Sequence, residues 1–409
     1  MEMLGLYLSI PFCRSKCTFC NFASGVFPAA HHEPYIARLE DDLRRIRTQA
    51  QTWGAVLPEA ADSIYFGGGT PSLLAPALFR RLFTALRREF AVLPTAEITV
   101  ECAPGQLDPA VLETLADCGV NRISFGVQSF VDGEAKSIGR LHTRAVALDD
   151  LRRVRAAGIS DISIDLIAGL PGQTMHSWFE SLGVLAGSGV DHASIYMLEV
   201  DDDSRLGREI LTHGGRYRAA DVPDDDLIAD MYTEAIAYLA GHGLAQYEIS
   251  NFARAGSESR HNLKYWRRQP YLGFGLDAHS MLNTRAGGAL RFAATDDLDA
   301  YLAGTGAPRA RPRGGAGGGL VSGPAPERRG QPGRAAPRFL RGGCAGLPCD
   351  GRRSGAGGSG APLRWRSRRP HRSRPHALER GLRAVLRGAG CRLRRLLRAA
   401  GVPQGPLLQ

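Results

Sequence analysis

Short apolar runs alternate with amphipathic stretches over the first 245 residues of the chain. The apolar runs are rich in β-branched and aromatic residues and predict buried strands. Between them, apolar residues recur every three or four positions, which is the period of a helix that buries one face. Strands are predicted at 4–10, 63–66, 97–102, 122–125, 162–167 and 193–200, and helices near 35–46, 78–90, 145–157, 177–186 and 224–239, with a further helix starting at Asp108-Pro109.

These strand–helix repeats predict an α/β fold with a parallel sheet, arranged as an open, partial (β/α)6 barrel. Ligands of such sheets bind at the carboxyl ends of the strands. The pattern changes after the sixth strand, so we expect a barrel domain over 1–215 and a smaller, mixed and incomplete C-terminal domain over 216–304. Residues 305–409 form a third segment of different composition.

The last segment carries the positive charge of the molecule. The chain has a formal net charge of +10, yet residues 306–409 contain 23 Arg against three acidic residues, so the remainder is acidic. A basic, disordered nucleic-acid-binding tail is one hypothesis. Aromatic residues are not interleaved with the arginines, and we expect no nucleic-acid partner. Residues 306–409 lack Ile, Lys, Asn, Tyr, Met and Thr, whose codons are largely AT-rich, and we interpret the segment as an out-of-frame read.

No apolar run approaches the ~18 residues of a membrane span, and the chain opens without a leader pattern. We therefore predict a cytoplasmic protein. The eight cysteines are spaced too irregularly for a disulfide framework, which agrees with a reducing compartment.

Three of the cysteines, Cys13, Cys17 and Cys20, follow a C-x3-C-x2-C spacing directly after the first strand. Arg14 and Lys16 lie between them, so a buried-core interpretation is poor. A zinc site needs further Cys or His ligands at finger-like spacing, and none follows. Iron–sulfur clusters are bound by closely spaced thiolates, normally four. Three thiolates leave one iron open for another ligand, and we favour this interpretation.

Polar residues follow the strand ends. Glu101 ends the third strand, Gln128 the fourth, and Asp165 interrupts the apolar fifth strand. A buried carboxylate is costly unless it is paired or bound to a ligand. Arg140 follows shortly after the fourth strand and could pair with a carboxylate. Taken alone, each has an ordinary structural explanation, but together they predict a cofactor site at one edge of the sheet.

The thiol motif with its flanks LYLSIPFC and CTFCNF resembles the radical S-adenosylmethionine (SAM) proteins, in the branch of oxygen-independent coproporphyrinogen III oxidase-like proteins. The resemblance implies a radical SAM barrel, in which Cys13, Cys17 and Cys20 bind a 4Fe–4S cluster whose open iron binds SAM. GGGTP, ITVE, SFGVQSF, GRLHT and ISIDLIAGLPGQT match further motifs. Together with the flanks, in which Tyr7 and Phe19 match positions that pack on cluster and SAM, they imply cofactor contacts by Gly68, Gly69, Thr70, Glu101, Gln128, Arg140 and Asp165. Arg140 would pair with the carboxylate of SAM or with the propionates of the ligand.

Two functional types within this family remain as alternatives for this chain. The oxidase decarboxylates coproporphyrinogen III, whereas the HemW-type proteins bind haem and deliver it to apoproteins. Asn21-Phe22 stands where the oxidase has a further Cys, and SRHNLKYW resembles a motif to which haem binding is attributed in the chaperone branch. The resemblance to this branch, which we favour, implies His261 as a haem ligand, with His279 as a second candidate, although His261 could equally be scaffold.

It also implies haem-accepting apoproteins, some of them respiratory and membrane-associated, and a flavodoxin or ferredoxin as electron donor. Dimerisation stays open.

Overall fold

The computed structural model describes residues 2–305 and the backbone of 311–313. Its strands are β1 Leu4–Ile10, β2 Ala55–Val56, β3 Ala60–Gly68, β4 Ala91–Cys102, β5 Arg122–Gln128, β6 Asp161–Ala168, β7 His192–Met197, β8 Ala245–Gln246, β9 Asn251–Ala253, β10 Tyr271–Phe274, β11 His279–Thr284, β12 Ala289–Ala293 and β13 Arg311–Arg313.

Helices alternate with these strands through the first part of the chain. They are α1 His32–Thr52, α2 Pro76–Glu89, α3 Pro109–Asp117, α4 Asp132–Ser137, α5 Arg144–Ala156, α6 Met175–Gly187, α7 Arg205–Leu211, α8 Asp225–Gly241, α9 Arg260–Trp266 and α10 Leu298–Leu302, with 3-10 turns at Ala29–His31, Pro71–Leu73 and Arg216–Asp221.

The strands form one sheet in the order β13-β12-β11-β10-β1-β3-β4-β5-β6-β7-β9-β8, and β2 pairs with β11. Strands β1, β3, β4, β5, β6 and β7 run parallel to their neighbours, which confirms the predicted partial barrel of the α/β class. Strand β10 adds a further parallel strand beside β1. The strands beyond β10 and beyond β7 are antiparallel, so the sheet is mixed and unclosed among the described residues.

Alternation along each strand separates the core from the lumen of the barrel. In β1, Leu4, Leu6, Leu8 and Ile10 are fully buried in the apolar core that also contains Tyr35, Ile36, Leu39 and Leu43 of α1. The alternate positions of the parallel strands carry polar and aromatic side chains, which include Tyr7, Ser63 and Ser124. Since successive side chains of a strand point to opposite faces, this second set faces the lumen. The lumen is therefore polar.

Helix starts are formed by local capping, as the sequence indicates. The Asp108 carboxylate accepts a hydrogen bond from the Ala110 amide at 2.8 Å with Pro109 in the first turn of α3. Asp224 caps α8 in the same way, with Asp225 and Asp226 in its first turn. Such carboxylates satisfy free amides and oppose the positive end of the helix dipole.

The segment after residue 245 joins the barrel sheet at both edges through β9 and β10. The predicted domain boundaries at 215 and 304 stay predictions. No helix of the described residues is long and apolar enough to cross a bilayer. The predictions of a disordered or out-of-frame tail concern residues that, apart from the backbone of 311–313, lie outside the described part.

Candidate functional site

The thiol loop, residues 13–26, is anchored by backbone hydrogen bonds at both ends and in its middle. The Cys13 amide donates to the Gly25 carbonyl at 2.9 Å, which closes the loop on itself. The Thr18 amide donates to the Ile138 carbonyl at 3.1 Å, and the Thr18 carbonyl accepts from the Leu206 amide at 2.8 Å. The loop is thus held between the segment after β5 and helix α7.

The three thiols are in a partly buried, polar environment. Cys17 is buried, and Cys13 and Cys20 are half-buried. Burial raises the pKa of Cys13, an effect that hydrogen bonds with the Ser24 and Thr70 hydroxyls oppose. Burial also raises the pKa of Cys20, opposed by the Phe22 backbone and the Lys16 charge. Since metals bind the thiolate, a bound cation is needed to hold these groups ionised at neutral pH.

Within residues 2–305, no three His, Cys, Asp or Glu side chains are close enough together to hold a single metal ion. A single-ion site is the arrangement that a zinc interpretation of the thiols requires. A cubane cluster is different, because each Cys binds a different iron atom and the thiols stand apart.

The GGGT segment, residues 67–70 at the end of β3, lies against the backbone that leads into the thiol loop. The Gly69 amide donates to the Ile10 carbonyl at 2.9 Å and the Thr70 amide to the Phe12 carbonyl at 2.8 Å. A Cβ atom on Gly69 would lie 2.8 Å from each of those two carbonyl oxygens. Gly68 has a φ of 101°, a conformation that favours glycine. Glycine is therefore required where the strand end contacts the thiol loop.

Two carboxylates face each other across the lumen near the strand ends. The Tyr65 hydroxyl donates to Glu101 Oε1 at 2.9 Å, and the Ser124 hydroxyl donates to Asp165 Oδ1 at 3.2 Å. Burial, followed by the charge of Asp165, raises the pKa of Glu101 to about 7. Burial raises the pKa of Asp165 to about 6, although hydrogen bonds with Ser194 and Ser124 and the charge of Arg140 act against it. This pair can hold or release a proton near neutral pH.

Gln128 and Arg140 both lie beside Gly126 of β5, and the Arg140 charge acts on Asp165. Gln128 has a φ of 70° at a register shift between β5 and β6, and its buried Oε1 has no hydrogen-bond partner. The Arg140 guanidinium donates from Nη1 to the Cys17 sulfur at 3.5 Å, while its Nε has no partner. Gly126 leaves room for this group, since a Cβ there would lie 2.5 Å from Arg140 Nη2. Free hydrogen-bonding capacity therefore remains between the thiols and the acids.

Tyr7 and Phe19 have different surroundings. Tyr7 is in the lumen, stacked on Tyr65 with ring centroids 6.1 Å apart. Phe19 packs on a separate apolar cluster that lies under the thiol loop. That cluster consists of Ile138, Ile167, Leu170, Leu198, Leu206 and Ala219.

Below the acids, the lumen contains a polar cavity of about 190 Å³. Its wall is formed mostly by hydroxyl-bearing side chains, and the buried Thr99 hydroxyl has no partner. The lining residues are Tyr7, Tyr65, Thr99, Glu101, Arg122, Ser124, Ser163, His192, Ser194, Tyr196, Ser259, His261, Asn262 and Tyr265.

His261 is not part of the group at the strand ends. It is 1 % exposed and lies at the opposite end of the lumen, where its Nδ1 is 3.0 Å from the hydroxyl of Ser63, which is in register with Gly5 near the start of β1. Its Nε2 is 2.9 Å from the Tyr265 hydroxyl, so both ring nitrogens are engaged. Burial and the Lys264 charge lower its pKa to about 3. His279 lies in β11, outside the lumen strands, with Nε2 3.8 Å from Asp277.

The sequence interpretation omitted several lumen groups. Tyr65, Ser124 and Ser194 hydrogen-bond to the two acids or lie beside them. A signal exists for Ser124, because S-x-G alternates with apolar residues inside an otherwise buried strand. The period of two assigns every such residue to one face.

Comparisons with known proteins agree with this geometry. The profile of the Radical SAM superfamily matches residues 7–185. The chain is 36 % identical over 276 residues to the heme chaperone HemW of Lactococcus lactis, covering 68 % of this chain and 69 % of that protein. It is 35 % identical over 283 residues to HemW of Bacillus subtilis, covering 68 % and 71 %.

A solved structure, the coproporphyrinogen III oxidase HemN of Escherichia coli, described as a radical SAM enzyme, superimposes with a TM-score of 0.61 at 26 % identity. The alignment covers 74 % of this chain and 69 % of that one. Membership of the superfamily implies a 4Fe–4S cluster and SAM as cofactors. The fold, the thiol loop and the relatives together show that this chain belongs to the HemN-like radical SAM proteins, in the HemW branch.

Proposed function

We propose that the chain is a radical SAM haem chaperone. In this proposal Cys13, Cys17 and Cys20 hold a 4Fe–4S cluster, SAM binds between the cluster and the lumen acids, and haem is the cargo that is passed to apoproteins. The observation that carries the proposal is the position of the three thiols above the carboxyl ends of the strands, where Arg140 contacts Cys17.

The residues at the strand ends fit these two cofactors. Gln128 Oε1 and Arg140 Nε are buried without protein partners, which is costly unless a ligand satisfies them. The backbone of Gly68, Gly69 and Thr70 can approach a ligand closely, and Glu101 and Asp165 offer acceptors for amino or hydroxyl groups. When bound, the cluster supplies an electron to SAM, and the surrounding side chains bind, orient and shield that chemistry.

Haem as cargo is supported by the names of the HemW relatives. His261 as a haem ligand stays a prediction; both of its ring nitrogens are hydrogen-bonded to hydroxyls, one of which a haem iron would have to displace. The proposal keeps haem-accepting apoproteins and a flavodoxin or ferredoxin donor as partners, and the cytoplasm as location.

The alternative is oxidative decarboxylation of coproporphyrinogen III. The similarity to HemN favours it. The absence of a further Cys at Asn21-Phe22 opposes it.

One experiment separates the two functions. The full chain is reconstituted anaerobically with iron and sulfide, titrated with hemin while the Soret band is recorded, and assayed for SAM cleavage with and without coproporphyrinogen III. The chaperone proposal predicts hemin binding and no decarboxylated product. Decarboxylation dependent on SAM would overturn it in favour of the oxidase, and absence of hemin binding would contradict haem as cargo.

A further inference from the structure

Helix α9, the SRHNLKYW motif, closes the amino end of the barrel. A single carboxylate organises its first turn: Glu97 at the lumen face of β4 accepts from the Ser259 hydroxyl at 3.2 Å, the Arg260 amide at 2.9 Å and the His261 amide at 3.0 Å. Glu97 is 5 % exposed. A buried carboxylate that accepts several amide bonds holds a helix start firmly, because it satisfies donors that the helix itself leaves free.

Two buried cations complete this attachment. Arg122 lies 3.7 Å from Glu97 and donates to the Ser257 carbonyl at 3.0 and 3.1 Å. Lys264 is 2 % exposed and pairs with Asp62 at 2.7 Å. The lysine also requires Gly5 in β1, where a Cβ would lie 2.7 Å from its Cδ. The motif is thus packed into the strand starts, which is the arrangement of a barrel floor.

His261 connects this floor to the carboxylate at the other end of the lumen. Its ring is 5.3 Å from the ring of Tyr65 and 6.4 Å from that of Tyr7. Its nitrogens bridge the Ser63 and Tyr265 hydroxyls, which fixes the ring plane. Tyr65 in turn donates to Glu101. A chain of contacts therefore runs from the floor helix to an acid at the proposed SAM site.

We propose that His261 is a positioning residue: its ring, held by hydrogen bonds with the Ser63 and Tyr265 hydroxyls, packs beside Tyr65 and through Tyr65 orients Glu101, while α9 forms the floor of the polar cavity. The SAM measurement in the test below rests on the proposed function; the positioning role itself does not require haem.

The test uses the full chain and four variants. His261→Ala removes the bridge, His261→Gln keeps hydrogen-bonding groups, and Tyr265→Phe removes only the hydroxyl that meets Nε2. The matched control is His176→Ala, an exposed histidine at the start of α6. Three quantities are measured. The first two are the Kd for SAM of the reconstituted protein and the hemin affinity from the titration. The third is the pH midpoint of the contribution that Glu101 makes to the unfolding free energy of the apoprotein, obtained by comparing each protein with its Glu101→Gln counterpart.

We expect His261→Ala to weaken SAM binding about tenfold and to move the apoprotein midpoint by about one pH unit, with hemin affinity unchanged within twofold. His261→Gln should keep most of the SAM affinity and the pH midpoint of the unmodified chain. Tyr265→Phe should show part of the loss expected for His261→Ala, and it decides the case if His261→Ala does not fold. Loss of hemin binding in His261→Ala with unchanged SAM affinity and midpoint would make it a haem ligand and overturn the inference. If the unmodified chain binds no SAM, the proposed function fails, and the apoprotein midpoint alone still decides the positioning role.

Discussion

Glu101 shows how a lumen residue combines a structural cost with a chemical use. The groups facing it are Tyr65 of β3, Asp165 of β6, Tyr7 of β1 and Tyr196 of β7. Burial and the Asp165 charge raise its pKa to about 7, above the ~4.3 of an unfolded chain. A raised carboxyl pKa means that the folded protein binds the extra proton, so stability falls as the pH rises through that window.

Replacing Glu101 by Gln should therefore stabilise the apoprotein at pH 8 and not at pH 4. The gain should be about 2 kcal/mol, less than the full shift implies because the group is partly solvated. Urea unfolding of both proteins at several pH values measures it. Glu113→Gln, an exposed glutamate of α3, is the control. An unchanged pH dependence in the Glu101 variant would contradict the account.

A substitution at Gly126 tests whether Arg140 contributes to SAM binding. The Cβ of Gly126→Ala would lie 2.5 Å from Arg140 Nη2, the far end of a flexible side chain that can move away. We expect a stability change below ~1 kcal/mol, because no backbone must shift. SAM binding by the reconstituted protein should weaken about tenfold, because the guanidinium is displaced. Unaltered affinity, measured by equilibrium dialysis at equal iron content, would show that Arg140 does not serve SAM.

At this scale the sequence identifies residues whose chemistry conflicts with their surroundings. Asp165 was recognisable because an acid interrupts an apolar strand. Tyr65 and Ser194 were missed, because hydroxyl-bearing residues are common in strands and carry no such conflict. His261 could be read as ligand or scaffold. The partners of its two nitrogens, Ser63 and Tyr265, are set by tertiary packing and could not be predicted from the sequence.

Among the elements, the GGGT segment packs tightly against the backbone of residues 10–12, which leads into the thiol loop. Gly69→Ala places a methyl group 2.8 Å from backbone atoms of residues 10–12, which cannot move independently of the thiol loop. We predict a loss of a few kcal/mol in unfolding free energy and of most cluster-bound iron. The control is Gly215→Ala, where a Cβ meets nothing within 4 Å. Normal iron binding by Gly69→Ala would contradict this part of the account.

The floor helix makes a second prediction at this scale. Glu97→Gln removes the buried carboxylate that pairs with Arg122, and removing one partner of a buried pair typically costs about 3 kcal/mol or more. Thermal unfolding should show the loss, and Glu59→Gln, outside this network, should not. Equal melting temperatures would mean that Glu97 does not anchor α9.

Strand β10 explains the limit of prediction at the element scale. The repeats up to β7 have regular apolar runs and were predicted with their order. β10 pairs in parallel with β1, 266 residues away between Gly5 and Tyr271. Nothing local in the segment 271–274 specifies that partner, since alternation fixes which face is buried but not which strand lies alongside.

For the whole molecule, the two ends of the lumen differ in kind. The carboxyl end has thiols, free hydrogen-bonding groups and glycine backbone, whereas the amino end is closed by helix α9 and the ion pairs Arg122–Glu97 and Lys264–Asp62. This polarity could be predicted in part, because strand-end motifs of a parallel sheet converge. The closure could not, since it depends on a helix that returns from beyond residue 259.

The central claim is that the thiol loop holds a cluster with one iron open to SAM. The most direct measurement is electron paramagnetic resonance of the anaerobically reconstituted, reduced protein with and without SAM, together with iron and sulfide analysis. Cys17→Ser is compared with the control Cys118→Ser, a buried cysteine outside the loop. The account predicts a 4Fe–4S signal that SAM alters, lost in Cys17→Ser and kept in Cys118→Ser. Zinc in place of iron, or a spectrum that neither SAM nor Cys17→Ser changes, would contradict it.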